Sequence, residues 1–431
     1  MSYDEQAGID IRIDQDDKRA VISGPGLGRV ELFLKDRAQL RLIVIKFAGQ
    51  VEKARPLGLP VHGDAAQVFL AFVKKAAWAC LRKATDNNYD DALLSARKML
   101  DEAMATAVLR DAPLNVQITD TGGGEYLPWE WLGTRDRASD YISEARTTLG
   151  FAAVIYRRVT HSEASRPGDQ ERLRSGAAAD VLDAQPVLPV RFFRNPELER
   201  TRVEYRFFQY NDDIELTGPL PELAPGGELS LADQLVDPGY QVPGFPHKRP
   251  DQVVHLSCHH EAKGNPETAS AFALLMSESV LSFGKEDDPG QEISLDSLGE
   301  ELEEAENRED ITAHRPLIFF NACRGSFYPF TTESVVGVLL RNGNRGMVST
   351  AVRVPDDAAA ELGQFFYERL LDGDCSVPEA LLYAKWKLIY LRACPLGILY
   401  SYYGRPDLRI LPTRHAHVED PIRALWNGGA K

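Results

Sequence analysis

Val253-Val254-His255-Leu256-Ser257-Cys258-His259-His260 and Leu317-Ile318-Phe319-Phe320-Asn321-Ala322-Cys323-Arg324-Gly325 are two short apolar runs, each ending in a residue with reactive chemistry. Both read as β-strands that deliver one such residue at the C-terminal end. In an open α/β sheet, sites form outside the carboxyl edge of the strands, so a histidine and a cysteine far apart in sequence can meet there. The pair points to a thiol nucleophile with a histidine partner.

Cysteine attacks as its thiolate, which a neighbouring base or positive field favours. Cys323 follows four apolar strand residues and precedes Arg324-Gly325-Ser326, a break where backbone amides can turn inward. The amide of Cys323 then suits an oxyanion. The competing reading is a buried structural cysteine; the strand-end position and the histidine on the other strand favour the nucleophile. Of three candidate bases, His255 lies inside its strand and reads as a core or supporting histidine. His259, at the strand end, is preferred, with His260 the alternative. Cys258 is expected on the opposite face of the strand. The same His/Cys cluster has the makings of a metal site, but alternation sends its side chains to opposite faces and no carboxylate or cysteine pair completes it. No metal or cofactor is expected.

The chain has 431 residues, 44% of them hydrophobic, enough for one large core or two ordinary ones. A formal charge of −15 argues against a nucleic-acid binder, because phosphate contacts need a basic face. Met1-Ser2-Tyr3-Asp4-Glu5 lacks the features of a signal peptide, and no apolar stretch approaches a spanning helix. A soluble cytoplasmic protein without membrane partners is expected. The five cysteines form no CxxC pair, which speaks for thiols in a reducing compartment.

Along the chain, residues 9–60 read as short strands, with Gly24-Pro25-Gly26-Leu27-Gly28 a hairpin turn and not a phosphate loop, because a strand follows it. Apolar spacing predicts helix from Ala65 to Leu109, then a strand over Leu114–Ile118. Asp120-Thr121-Gly122 copies the aspartic-protease triplet only once and reads as a glycine turn. Strands are expected at Phe151–Tyr156 and Val187–Phe193, an exposed loop over 160–185, and a connecting segment over 211–250. Leu295–Leu302 reads as an amphipathic crossover helix between the histidine and cysteine strands. Helix (Glu333–Arg341), strand (Gly346–Val352), helix (Asp357–Leu371) and helix (Val377–Ile389) follow, an alternation that gives a parallel, helix-covered sheet. Trp129 and Trp131 read as core anchors.

Five segments, in order, resemble the CHAT proteases, caspase-like cysteine peptidases of the clan that includes caspases and separase. Leu127-Pro128-Trp129-Glu130-Trp131-Leu132 resembles the family's L-P-W-E-x-L element. Val253–His260 is similar to its strand ending in C-H-G, and Phe320–Gly325 to S-A-C-x-T/S-G. Val352–Tyr367 resembles L-W-P-V-D-D followed by F-Y, and Tyr403-Gly404-Arg405-Pro406-Asp407 is similar to the terminal Y-G-D-P. The resemblance covers about residues 65–412.

The resemblance implies an α/β fold: a caspase-like, largely parallel sheet flanked by helices. It implies a degenerate N-terminal half (65–245) and an active half (246–412), between a β-rich extension (1–64) and a C-terminal tail (413–431). Carried over, it makes Cys323 the nucleophile and His259 the general base and acid, with the amides of Cys323 and His260 forming the oxyanion hole. His260 stands where the family has glycine, and Arg353 where it has tryptophan. Arg324 occupies the variable position after the nucleophile. In separase-like relatives an aspartate near Asp356 and Asp357 contacts a basic P1 side chain, an arrangement that charge-assisted pairing favours; the alternative role for these residues is capping the helix that follows, with Asp356 suited to the cap. The implied activity is endopeptidase, with a protein substrate, an activating sensor or regulatory protein, and a role in prokaryotic defence, antiviral defence included, or in regulated proteolysis. The departures at 260 and 353 motivate the alternative of a catalytically impaired scaffold acting as an interaction module.

Overall fold

Apolar runs flanked by turns build the strands, and helices with a three- and four-residue apolar stripe cover them. The computed structural model describes residues 8–14, 16–86, 90–110, 112–121, 127–134, 138–160, 187–220, 252–262, 279–283, 292–306, 316–321, 335–341, 344–373 and 375–410. The chain divides into one unit of Met1–Asp180, Cys375–Asp407 and Ala416–Lys431, and a second of Val181–Asp374 and Leu408–His415.

In the first unit, β1 (Gly8–Asp14), β2 (Arg19–Gly24) and β3 (Gly28–Phe33) form an antiparallel meander. The expected hairpin is present, with Gly26 and Gly28 at φ 74° and 85°, a conformation that suits glycine. β1 then pairs in parallel with β4 (Leu114–Thr121), β4 with β5 (Ala153–Thr160), and β5 with β14 (Tyr400–Gly404). Helices α1 (Arg37–Ala54), α2 (Gly63–Ala84), α3 (Asp90–Arg110), α4 (Tyr141–Arg146), α5 (Leu149–Ala152) and α10 (Val377–Arg392) accompany this sheet.

The reading of short strands over residues 9–60 holds only as far as Phe33. Leu40, Val44, Phe47 and Val51 fall on one buried helical stripe, and Asp36 caps α1 by accepting the Gln39 N–H. The 211–250 segment is likewise not wholly a connection, since β7 (Ile214–Leu220) pairs with β6 (Leu188–Arg194). Pro219 fits there because, among the described residues, β7 is the edge strand of its sheet, where a missing amide costs no ladder bond. The loop expected over 160–185 lies, from residue 161 on, outside the described residues.

In the second unit five strands lie side by side in the order β13 (Gly346–Thr350), β12 (Leu317–Phe320), β8 (Val253–Ser257), β6, β7. Every pairing among them is parallel. Crossovers of these strands include α6 (Thr201–Gln209) between β6 and β7, α7 (Leu295–Glu306) between β8 and β12, and α8 (Val335–Arg341) between β12 and β13; α9 (Asp356–Leu371) follows β13. Strand order reverses direction between β6 and β8, the kind of switch point at which open α/β sheets build sites. A three-stranded antiparallel sheet of β9 (His259–Ala262), β10 (Ser279–Ser282) and β11 (Glu292–Ser294) is inserted between β8 and α7. The largely parallel, helix-flanked α/β fold expected from the sequence is therefore present.

Candidate active site

β8 and β12 are immediate parallel neighbours, with His255 opposite Phe319 and Leu256 opposite Phe320. The pairing continues one residue past β12, where the Asn321 N–H donates to the Leu256 carbonyl at 2.8 Å. The Asn195 N–H, at the end of β6, donates to the Ser257 carbonyl at 2.7 Å. Three strand ends thus converge at the carboxyl edge. The chain leaves β8 through Cys258 and begins β9 at His259, whose backbone lies opposite Ser282 of β10, with His260 opposite Leu281. The side chains of His259 and His260, and all of Ala322 through Arg324, lie outside the described residues; the dyad expected from Cys323 and His259 has its flanking strands described, not its side-chain geometry.

His255 is fully buried and both its ring nitrogens are engaged. Nδ1 lies 3.0 Å from the Tyr367 hydroxyl, and Nε2 lies 3.0 Å from Ser257 Oγ and 3.3 Å from Glu204 Oε1. Phe319 stacks on the ring at 5.0 Å, and Phe208 meets it at a steep angle at 5.2 Å. This is the supporting histidine that its mid-strand position predicts.

Glu204, on α6, escapes a reading of motifs. It accepts from Ser257 Oγ and from Asn321 Nδ2, each at 2.5 Å. Serine, histidine and glutamate here share the composition of a hydrolytic triad. However, Ser257 and His255 are fully buried and the serine proton goes to the carboxylate, so no substrate reaches this hydroxyl. Burial, and then the carboxylate of Glu204, push the Tyr367 phenol well above its usual range, which keeps it a hydrogen-bond donor.

Cys80, Cys258, Cys375 and Cys394 are all buried and form no disulfide. Burial pushes the Cys80 thiol up to about 12 and the Cys258 thiol higher still, so neither is a competent thiolate. Asp356 and Asp357 stand half-buried in the first turn of α9, where carboxylates favour the helix dipole. The cap position belongs to Pro355, not Asp356, because the helix starts one residue earlier than its apolar spacing suggests. Asp357 Oδ1 accepts the Ala358 N–H at 2.8 Å. Trp129 and Trp131 are fully buried, as expected of core anchors. Among the described residues no cluster of three or more His, Cys, Asp or Glu is placed to hold a metal ion, and no helix is long and apolar enough to cross a membrane.

The family model of the CHAT domain matches residues 94–417, well over half of the chain. The chain belongs to the CHAT domain family, a caspase-like protease family. A solved structure described as "Structure of Protease" is similar to it at 10% identity and a TM-score of 0.42, covering 73% of this chain and 69% of that one. No curated protein matches the chain.

Proposed function

We propose that the chain is a cysteine endopeptidase in which His259 draws the proton from Cys323 and the thiolate attacks the scissile carbonyl. The amides of Cys323 and His260 hold the oxyanion of the tetrahedral intermediate. The C–N bond then breaks, His259 returns the proton to the leaving amine, and water activated by His259 hydrolyses the thioester. Asp356 and Asp357 are assigned to a basic P1 side chain and Arg324 to the substrate side of the cleft; the substrate is a protein. The halves 65–245 and 246–412 serve as degenerate and active parts. An antiviral defence role in the cytoplasm, under an activating sensor or regulatory protein, belongs to the same proposal and rests on the family resemblance alone.

The observation that carries this reading is the parallel pairing of β8 with β12, extended by the Asn321–Leu256 hydrogen bond. Two positions beyond Ser257 and Asn321 stand His259 and Cys323 in sequence. The burial of the other four cysteines supports the choice of thiol. Intact-mass labelling with an acyloxymethyl ketone bearing P1 arginine tests it. Wild type is expected to gain one adduct, and Cys323→Ala and His259→Ala none. Absence of any adduct in wild type, repeated with apolar P1 probes, favours the impaired scaffold suggested by His260 and Arg353.

A further inference from the structure

We infer that Glu204 is a positioning residue: by tying Ser257 and Asn321 to one carboxylate, it fixes the ends of β8 and β12 from which the two dyad positions depart. The inference rests on the Cys323–His259 reading and deepens it. Ser257 and Asn321 stand at equal offsets, two residues before His259 and Cys323. Their side chains reach opposite oxygens of the same group, Ser257 donating to Oε2 and Asn321 to Oε1, each at 2.5 Å. Each oxygen of the carboxyl group thus takes one neutral donor, and each donor comes from a different strand end. All three residues are buried, so water does not compete for the donors.

The proton order of the cluster follows from its acceptors. With Glu204 as carboxylate, the Ser257 hydroxyl proton points at Oε2. Ser257 Oγ can then only accept, from His255 Nε2–H, leaving Nδ1 to accept from Tyr367. One tautomer of His255 satisfies every group, and α9 closes the cluster through Tyr367. Gly363 of the same helix faces it, with a Cβ there reaching within 3.5 Å of Glu204 Oε1. The partners of Glu204 among the described residues are all without fixed charge, so the carboxylate orients donors and does not neutralise a cation.

The test is the rate at which iodoacetamide alkylates Cys323, followed by peptide mass mapping from pH 5 to 9, in wild type, His259→Ala, Glu204→Met, Glu204→Gln and Asn321→Ala. A dyad thiolate reacts at acid pH where an ordinary thiol does not. Loss of both ties in Glu204→Met is expected to slow alkylation at pH 6 about tenfold and to raise the midpoint by about one unit. Glu204→Gln, which keeps one acceptor, falls between. A purely structural role would lower the melting temperature and leave the pH profile of the folded protein unmoved. Wild-type profiles for Glu204→Met and Asn321→Ala, beside a shifted His259→Ala, overturn the inference while the dyad stands. An ordinary thiol profile already in wild type, insensitive to His259, overturns the dyad and the positioning role together. Where Glu204→Met does not melt cooperatively, Asn321→Ala, which cuts the β12 tie alone, decides the matter by the same shift or its absence.

Discussion

Two buried glutamates, Glu130 in the first unit and Glu204 in the second, are satisfied in opposite ways. Glu130 sits in the 3-10 turn Trp129–Trp131 and takes both Arg157 Nε and Nη2 at 2.5 Å, with Ser401 Oγ at 2.9 Å. Burial opposes its ionisation, but the Arg157 guanidinium and its hydrogen bonds outweigh that and hold the carboxyl below the usual range. The paired charge fastens the Leu127–Leu132 segment to β5 and β14. Glu204 instead gathers neutral donors from the ends of two strands. A buried carboxylate matched by a cation acts as a bolt; one matched by neutral donors sets direction. On the inference drawn above, the first cluster supplies structural strength and the second sets site geometry, although both carboxylates are hidden from water.

The largest effect that sharpens this contrast is Glu130→Ala. It strands the Arg157 charge in the core, and chemical denaturation should register a loss of about 3–5 kcal/mol. The folded fraction should keep the wild-type alkylation profile of Cys323; a shifted profile would erase the distinction between the clusters. Lys385, buried near Glu130, comes next. Burial pushes its ammonium down to about 8 despite the carboxylate, against an ordinary value of 10.5. Below pH 8 it is protonated both folded and unfolded. Between pH 8 and 10.5 the unfolded chain holds more protons, so stability from this group rises with pH. Lys385→Met lacks that gain, and the wild-type advantage over it should grow by about 3 kcal/mol across the window. A flat difference curve would mean the cluster tolerates the charge. Ser257→Ala leaves one oxygen of Glu204 short of a donor, at a cost of about 1–3 kcal/mol in denaturant melts. Smallest is Tyr367→Phe, which removes one neutral hydrogen bond to His255 and should cost about 1 kcal/mol; a loss as large as that of Glu130→Ala would show that the neutral cluster is also a bolt.

The parallel sheet of the second unit is legible because β8, β12 and β13 are continuous apolar runs separated by helical stripes. The hairpin of β2 and β3 is legible from its glycines. The helix α1 is not read from the sequence because its apolar positions follow three strand-like runs and share their residue types; the cap at Asp36 is the overlooked signal. The inserted sheet of β9 to β11 is missed because its strands are three or four residues long, too short for alternation to register. The buried roles of His255, in the second unit, and of Trp129, in the first, follow from position in a strand and from a proline-led turn. Glu204 is hidden for a physical reason. Thr201, Glu204 and Phe208 share the buried stripe of α6, so the glutamate occupies an apolar slot, and its partners come from two distant strands. A carboxylate in a core slot of a short helix is the trace it leaves in the sequence.

The most direct test of the central claim is turnover. Wild type and Cys323→Ala are incubated with a proteome-derived peptide library, and newly formed N-termini are read by mass spectrometry. The account predicts cuts in the wild-type sample alone, gathered after basic residues. The same cuts made by Cys323→Ala would contradict it, because the scissile bond would then be broken without the thiol.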